Sequence, residues 1–255
     1  MSDQNYHPEP YWSDVAKLIG ERQGTNVIAG DDEPYYRYKR KMFLKMLFTV
    51  PFEGKKVLEI GSGPGGNLVE VFKKKPAVLN GVDISSDMIA LAKKHVPASV
   101  EIFKSNGTQL PFGDNQFDII FTATVLQHNT DDAMLRELIA EICRVSGDRV
   151  YIFERIENSI KGDALCLGRP VDYYASIFKA HGFELQETQF INIRVSYYIC
   201  GAIRKLLNPK DRKEGEPLNG ISIFLQNAFL MVTPLLDRIF TSGKDVGKLV
   251  FKKIK

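Results

Sequence analysis

The sequence predicts a doubly wound α/β fold, and three observations predict it. Short, almost wholly apolar runs such as "KKVLEI" and "FDIIFTAT" suit strands buried on both faces. Amphipathic runs of helical period separate them, and that alternation implies right-handed crossovers in a parallel sheet. The stretch "VLEIGSGPGGNLVEVF" then passes from strand through a glycine-rich turn into a helix. Glycines at 61, 63 and 66 fit the spacing of nucleotide-binding loops, where the backbone turns tightly and something approaches closely.

The elements follow in order. Residues 11–20 and 35–48 are predicted helical, the second with basic residues along one side, and 24–34 is a turn-rich linker. Residues 55–60 form the first strand, and the glycine loop opens a helix over 66–75. A second strand at 77–84 leads into a helix over 85–96 capped by Ser85 or Ser86. Strands follow at 99–106 and 117–124, then a helix over 131–145 with Asn129 or Thr130 at its N-cap. A fifth strand covers 148–155, a helix over 170–182 ends at Gly182, and a sixth strand covers 183–195. Two helical stretches, 196–208 and 221–240, flank the polar break 209–220, and Pro234 interrupts the second. Residues 247–255 alternate like a last strand. The expected organisation is an N-terminal helical lid (1–54), a ligand-binding core (55–195), a helical insertion (196–245) and a final strand (246–255).

Composition narrows the function. At 255 residues and 44% hydrophobic, the chain can bury a full core. A net charge of +3 is too small to imply a nucleic-acid partner. The three cysteines form no C-x-x-C, which argues against zinc or a disulfide framework and for a reducing compartment. The first residues lack the apolar core of a signal peptide, so the expected location is the cytoplasm.

Glu59 stands two places before the first glycine. In NAD or FAD proteins such a loop receives a pyrophosphate, which a carboxylate in the pocket would repel. S-adenosylmethionine has no phosphate and carries a sulfonium and an ammonium, so an acid suits it, while loop N–H groups would meet its carboxylate end. A structural turn without ligand is the third alternative. Asp83 ends the second strand, where an acid can accept hydrogen bonds from both ribose hydroxyls, and Ile84 is placed to pack on an adenine face. Asn106 can accept from the adenine amino group, and Gly107 lets backbone come close.

These segments, "VLEIGSGPGGNL", "GVDISSDMI" and "NGTQLPFGDNQFDIIFTATVLQH", resemble the class I S-adenosylmethionine-dependent methyltransferases. They are most similar to the ubiquinone and menaquinone methyltransferase branch, over about residues 55–155. The resemblance implies a seven-stranded Rossmann-like sheet with an antiparallel last strand. It implies donor contacts from Glu59, Gly61, Asp83 and Asn106, with Ser62, Gly63, Ile84, Gly107 and Thr122 beside them. Relatives commonly carry Asp where this chain has Asn106, which implies at most a weaker preference for adenine.

The acceptor is expected to be a small or amphipathic molecule, methylated at oxygen; the alternatives are methylation at nitrogen or carbon, or a non-catalytic donor-binding or assembly protein of the same fold. A hydroxyl acceptor must lose a proton. His128, just past the fourth strand, is the first candidate base; the alternative is a turn histidine packed beside the donor. Glu154 is the second candidate, or else a pocket wall. Tyr36 and Arg40, with Tyr11 and Trp12, would fold over the donor as a lid or else form a surface helix. No metal-ligand cluster is visible, and no nucleic-acid module. The stretch 196–240 is expected to roof the acceptor pocket with Tyr197 and Tyr198 near its wall, or to contact a membrane surface or a second copy.

Overall fold

The computed structural model describes residues 7–21, 33–209 and 218–254. Most of the linker over 24–34 and of the polar break over 209–220 lies outside them. In chain order, α1 is Pro8–Glu21, α2 Pro34–Leu47, β1 Lys56–Ile60, α3 Gly66–Phe72, β2 Val78–Asp83, α4 Ser86–Ala92, β3 Glu101–Lys104 and β4 Phe117–Ala123. Then come α5 Asp132–Val145, β5 Ser146–Ile156, β6 Lys161–Gly162, β7 Leu167–Gly168, α6 Val171–Ala180 and β8 Phe183–Phe190. The last elements are α7 Arg194–Leu207, α8 Gly220–Phe229, α9 Thr233–Asp237 and β9 Asp245–Lys253.

The chain divides into two compact units, and the division differs from the expected lid, core and insertion. The first contains α1, Pro51–Gln189 and the stretch from Lys244; the second contains α2 and Phe190–Gly243. The two helices of the N-terminal segment fall in different units, α1 in the first and α2 in the second.

The first unit is built on a seven-stranded sheet of order β3-β2-β1-β4-β5-β9-β8. β1 pairs in parallel with β2 and β4, β2 with β3, and β4 with β5. β9 runs antiparallel to β5, with Ile152 opposite Leu249. The central strands are apolar because both faces are covered: Val57, Leu58, Ile120 and Phe121 are fully buried. Helix α5 buries Leu135, Leu138, Ile139 and Ile142, the i, i+3, i+4, i+7 stripe its sequence shows. Its N-cap is Asp131, which accepts from Met134 N at 2.9 Å, not Asn129 or Thr130. Ser85 caps α4 as expected, accepting from Met88 N at 3.2 Å. Strand β8 ends at Phe190, short of the expected 195. The alternation in "INIRV" instead buries Ile191 and Ile193 in a connector that enters α7.

The second unit consists of α2, α7, α8 and α9 among its described elements. The expected single helix over 221–240 is two, because Pro234 lies in the first turn of α9, where its missing N–H costs nothing. Its polar side chains Ser196, Ser222, Gln226, Thr233 and Asp237 are buried, whereas Tyr197 and Tyr198 are 51% and 64% exposed.

Candidate active site

The site forms in the first unit, at the C-terminal ends of β1, β2, β3 and β4. In such sheets those ends are where ligands bind.

After β1 the backbone enters the left-handed region three times, at Gly61 (φ 65°), Gly63 (φ 51°) and Gly65 (φ 85°). Gly66 is already the first residue of α3. The two inner glycines differ in what surrounds them. A Cβ on Gly61 would lie 2.4 Å from Val125 Cγ2, whereas one on Gly63 would meet nothing within 4 Å. Gly61 is a packing requirement, and Gly63 faces open space.

Three of the loop's N–H groups are spent inside the protein. Ser62 N donates to the Val82 carbonyl (3.0 Å), Gly65 N to the Ser62 carbonyl (3.0 Å), and Gly63 N to Asp83 Oδ2 (2.8 Å). These three are thus not open to a ligand's carboxylate, as the loop's amides were expected to be. They also offer nothing to a pyrophosphate. Beneath the loop, Glu59 is fully buried, and its Oε1 accepts from Asn67 Nδ2 at 2.7 Å.

Asp83 clips two segments together, because its other oxygen, Oδ1, accepts from Ser85 N at 2.8 Å. Burial pushes its carboxyl above the ordinary carboxylate range, with the Ser85 and Gly63 amides opposing the shift. Next to it, Ile84 packs on Gly107, whose φ is 94° and where a Cβ would fall 2.9 Å from Ile84 Cδ1. Asn106 lies at the exposed rim. Its Oδ1, expected to face an adenine amino group, accepts from Thr108 N (3.1 Å) and Gln109 N (2.8 Å) and shapes its own turn.

Helix α1 lies along these strand ends. Ser13 Oγ is 2.9 Å from Ser85 Oγ, Glu9 pairs with Lys104, and the Trp12 ring meets the His128 ring edge-on with centroids 5.0 Å apart. Among the aromatic residues considered for a lid, Trp12 is packed on a site residue in this unit. Tyr36 and Arg40 belong to the second unit, where Arg204 sits 4.9 Å over the Tyr36 ring and Arg40 5.2 Å over Phe43.

The turn after β4 carries His128 and is held from three sides. Glu154, fully buried on β5, takes Val125 N (3.1 Å) and the Thr122 hydroxyl (2.8 Å) on Oε1 and Gln127 N (3.0 Å) on Oε2. Burial pushes its carboxyl upward, against these hydrogen bonds. Arg169, 2% exposed, donates to the carbonyls of Leu126 (2.9 Å) and Asn129 (2.7 Å). The loop between β6 and β7 contributes the Ala164 carbonyl to Thr130 Oγ1 (3.0 Å) and the Leu165 carbonyl to His128 Nδ1 (2.8 Å). Glu154 and Thr122 thus satisfy each other and the turn's backbone; neither opens onto a ligand. This corrects both assignments, of Glu154 to catalysis and of Thr122 to the donor.

The hydrogen bonds fix the histidine tautomer. A carbonyl can only accept, so Nδ1 carries the proton and Nε2 the lone pair. Gln127 Oε1 accepts from Arg155 N at 2.9 Å, which turns Gln127 Nε2 toward His128 Nε2, 3.2 Å away. Arg169, Gln127 and Asn67 were not among the residues expected here, since nothing in their local sequence marks them. No cluster of His, Cys, Asp or Glu able to hold a metal occurs among the described residues.

Residues 57–147 match the family profile of a methyltransferase domain. The ubiquinone biosynthesis O-methyltransferase of Pasteurella multocida is 32% identical over 128 residues, 45% of this chain and 51% of that protein. A phosphoethanolamine N-methyltransferase of Triticum aestivum is 25% identical over 152 residues, 58% of this chain and 28% of that one. The chain spans about half the length of the first curated relatives it matches. The magnesium protoporphyrin IX methyltransferase of Synechocystis PCC 6803, solved with bound SAH, shares the fold at TM-score 0.56 and 14% identity. That match covers 71% of this chain and 90% of that one.

Proposed function

From a chain whose residues 57–147 match a methyltransferase domain and whose sheet has the class I methyltransferase fold, we propose transfer of a methyl group from S-adenosylmethionine to oxygen. The acceptor is a hydroxyl of a small or amphipathic molecule. One observation carries the choice of donor: Gly63 N–H is bonded to the Asp83 carboxylate, over a loop with Glu59 buried beneath it. A nucleotide diphosphate would find two carboxylates there and the Ser62, Gly63 and Gly65 amides already bonded. A cationic donor finds two acidic side chains and, at Gly63, a backbone open to close approach.

S-adenosylmethionine, when bound, supplies a sulfonium-borne methyl group. Asp83 offers the remaining lone pairs of its carboxylate to the ribose hydroxyls, and Ile84 with Gly107 forms an apolar wall for the adenine. Glu59 contributes its charge from below. Helix α1, through Trp12, screens the site from water, which strengthens these electrostatic contacts. His128 Nε2 takes the proton that the acceptor hydroxyl gives up, exchanging its long bond to Gln127 for one to the acceptor. Leu165 and the Glu154–Arg169 frame hold the imidazole in the productive tautomer.

Methyl transfer to an amine is the second reading, favoured by the similarity to the wheat enzyme. The test incubates the protein and His128→Ala with S-adenosylmethionine and matched hydroxyl and amine amphiphiles, and weighs the products. The proposal expects methylated hydroxyl compounds from the wild type, with turnover strongly reduced in the variant. Methylated amines alone, at equal rates in both proteins, would overturn it.

A further inference from the structure

In the second unit α2 buries apolar side chains such as Phe43, Met46 and Leu47, but α7, α8 and α9 turn polar residues inward. On α7 the inward pair at i, i+4 is Ser196 and Cys200; on α8 it is Ser222 and Gln226; on α9 it is Thr233 and Asp237, and all six are buried. They bond across the helices. Ser196 Oγ is 2.7 Å from Thr233 Oγ1, Asp237 Oδ1 accepts from Val195 N at 2.7 Å, and Tyr38 OH on α2 donates to Asp237 Oδ2 at 3.1 Å. Asn208 Nδ2 donates to Ser222 Oγ at 3.1 Å. The apolar side chains point the other way: Leu206 and Met231 are each 81% exposed, Ile239 71%, Phe224 69% and Leu235 57%. Scattered exposed leucines are ordinary, but buried and half-buried polar contacts opposite a run of exposed large apolar residues are not. Polar groups bonded to one another inside and apolar groups outside is the arrangement that an apolar surrounding selects.

Charge says which surrounding. By sequence the second unit carries thirteen Lys and Arg against seven Asp and Glu, while the remainder carries twenty-one against twenty-four. Among its described residues the carboxylates are Glu33 and Asp237, both buried, and Glu33 pairs with Arg204 at 2.9 Å. Arg37, Lys41, Lys45, Arg194, Lys205 and Arg238 are exposed. The described surface of this unit is thus apolar and cationic, without an exposed carboxylate. A second copy would bring the same positive surface against it. No described helix is long and apolar enough to cross a membrane.

We propose that α7, α8 and α9 dock on the surface of an anionic lipid bilayer, with Leu206, Phe224 and Met231 entering the acyl boundary and the basic side chains meeting the headgroups. The docking does not rest on methyl transfer, and its test reads binding rather than turnover. The full chain is floated with vesicles of phosphatidylcholine, alone or mixed with phosphatidylglycerol. It should rise with the mixed vesicles and be released by salt. Phe224→Glu with Met231→Glu should lower the bound fraction at least about tenfold, since each buried large side chain is worth that much. Both positions are exposed, so circular dichroism should be unchanged. Lys205→Glu with Arg238→Glu should abolish the preference for phosphatidylglycerol. Wild-type protein that stays below the mixed vesicles would overturn the proposal. So would Glu variants that float equally well, or sedimentation showing a dimer that Phe224→Glu splits while vesicles bind neither form.

Discussion

Replacing Glu154 separates positioning from proton transfer. Its two oxygens serve three donors: Val125 N, the Thr122 hydroxyl and Gln127 N, all within 3.1 Å, in a side chain with no exposure. In Glu154→Gln the retained carbonyl oxygen can still serve Val125 and Thr122, but the new NH2 faces Gln127 N, donor against donor. One buried donor left without an acceptor costs about 1–3 kcal/mol. Glu154→Ala strands all three, and with relief of a desolvated charge offsetting part of the loss, roughly 3–5 kcal/mol is expected. Urea unfolding followed by far-ultraviolet circular dichroism should rank the proteins wild type, Gln, Ala. Turnover at saturating donor should fall in the same order, because the turn carrying His128 loosens, while the pH at which turnover is half-maximal stays put in Glu154→Gln. A Gln variant as stable as wild type yet without turnover would refute the argument and make Glu154 a proton-transfer group.

Four further outcomes follow. Gly61→Ala, whose Cβ would meet Val125 at 2.4 Å, should destabilise the protein far more than Gly63→Ala, which meets nothing; both bear the left-handed backbone strain of about 1–2 kcal/mol. Gly63→Ala should instead lower donor affinity in calorimetric titration, because its methyl enters the open space. Asp83→Ala should weaken donor binding by about 1–3 kcal/mol and also lower the melting temperature, as Gly63 N and Ser85 N lose their acceptor. The pH dependence of stability has a definite sign. Burial raises the folded-state pKa of Asp83 and Glu154, so the folded protein binds more protons than the unfolded chain. Their contribution is fully present below the ordinary carboxylate pKa and is lost as pH rises through the raised one. The stability gap between wild type and Glu154→Gln, measured by urea unfolding, should narrow as pH rises through that range.

Periodicity made the sheet legible. Apolar runs of strand length and the i, i+3, i+4, i+7 stripe of α5 are imposed by burial, and burial is what composition records. The glycine loop was legible for a similar reason, since left-handed backbone at residues 61 and 63 all but requires glycine. What fills the loop's hydrogen bonds was not. That Gly63 N meets Asp83 depends on two segments brought together by the pairing of β1 and β2. Arg169 is similar: its carbonyl partners lie some forty positions away, and no local pattern announces a buried guanidinium. The second unit shows a different limit. Helical period tells that Ser222, Gln226, Thr233 and Asp237 share faces with one another, but not that these faces turn inward. The assumption that apolar means inside gave the opposite orientation.

A cationic methyl donor, rather than a dinucleotide, should occupy the loop in which the Ser62, Gly63 and Gly65 amides are already bonded. Calorimetric titration with S-adenosylmethionine, and separately with NAD, distinguishes the two. Saturable binding of S-adenosylmethionine, weakened in Asp83→Ala, is expected, with no heat of binding from NAD. Binding of NAD with affinity equal to or above that of S-adenosylmethionine would rule the cationic donor out.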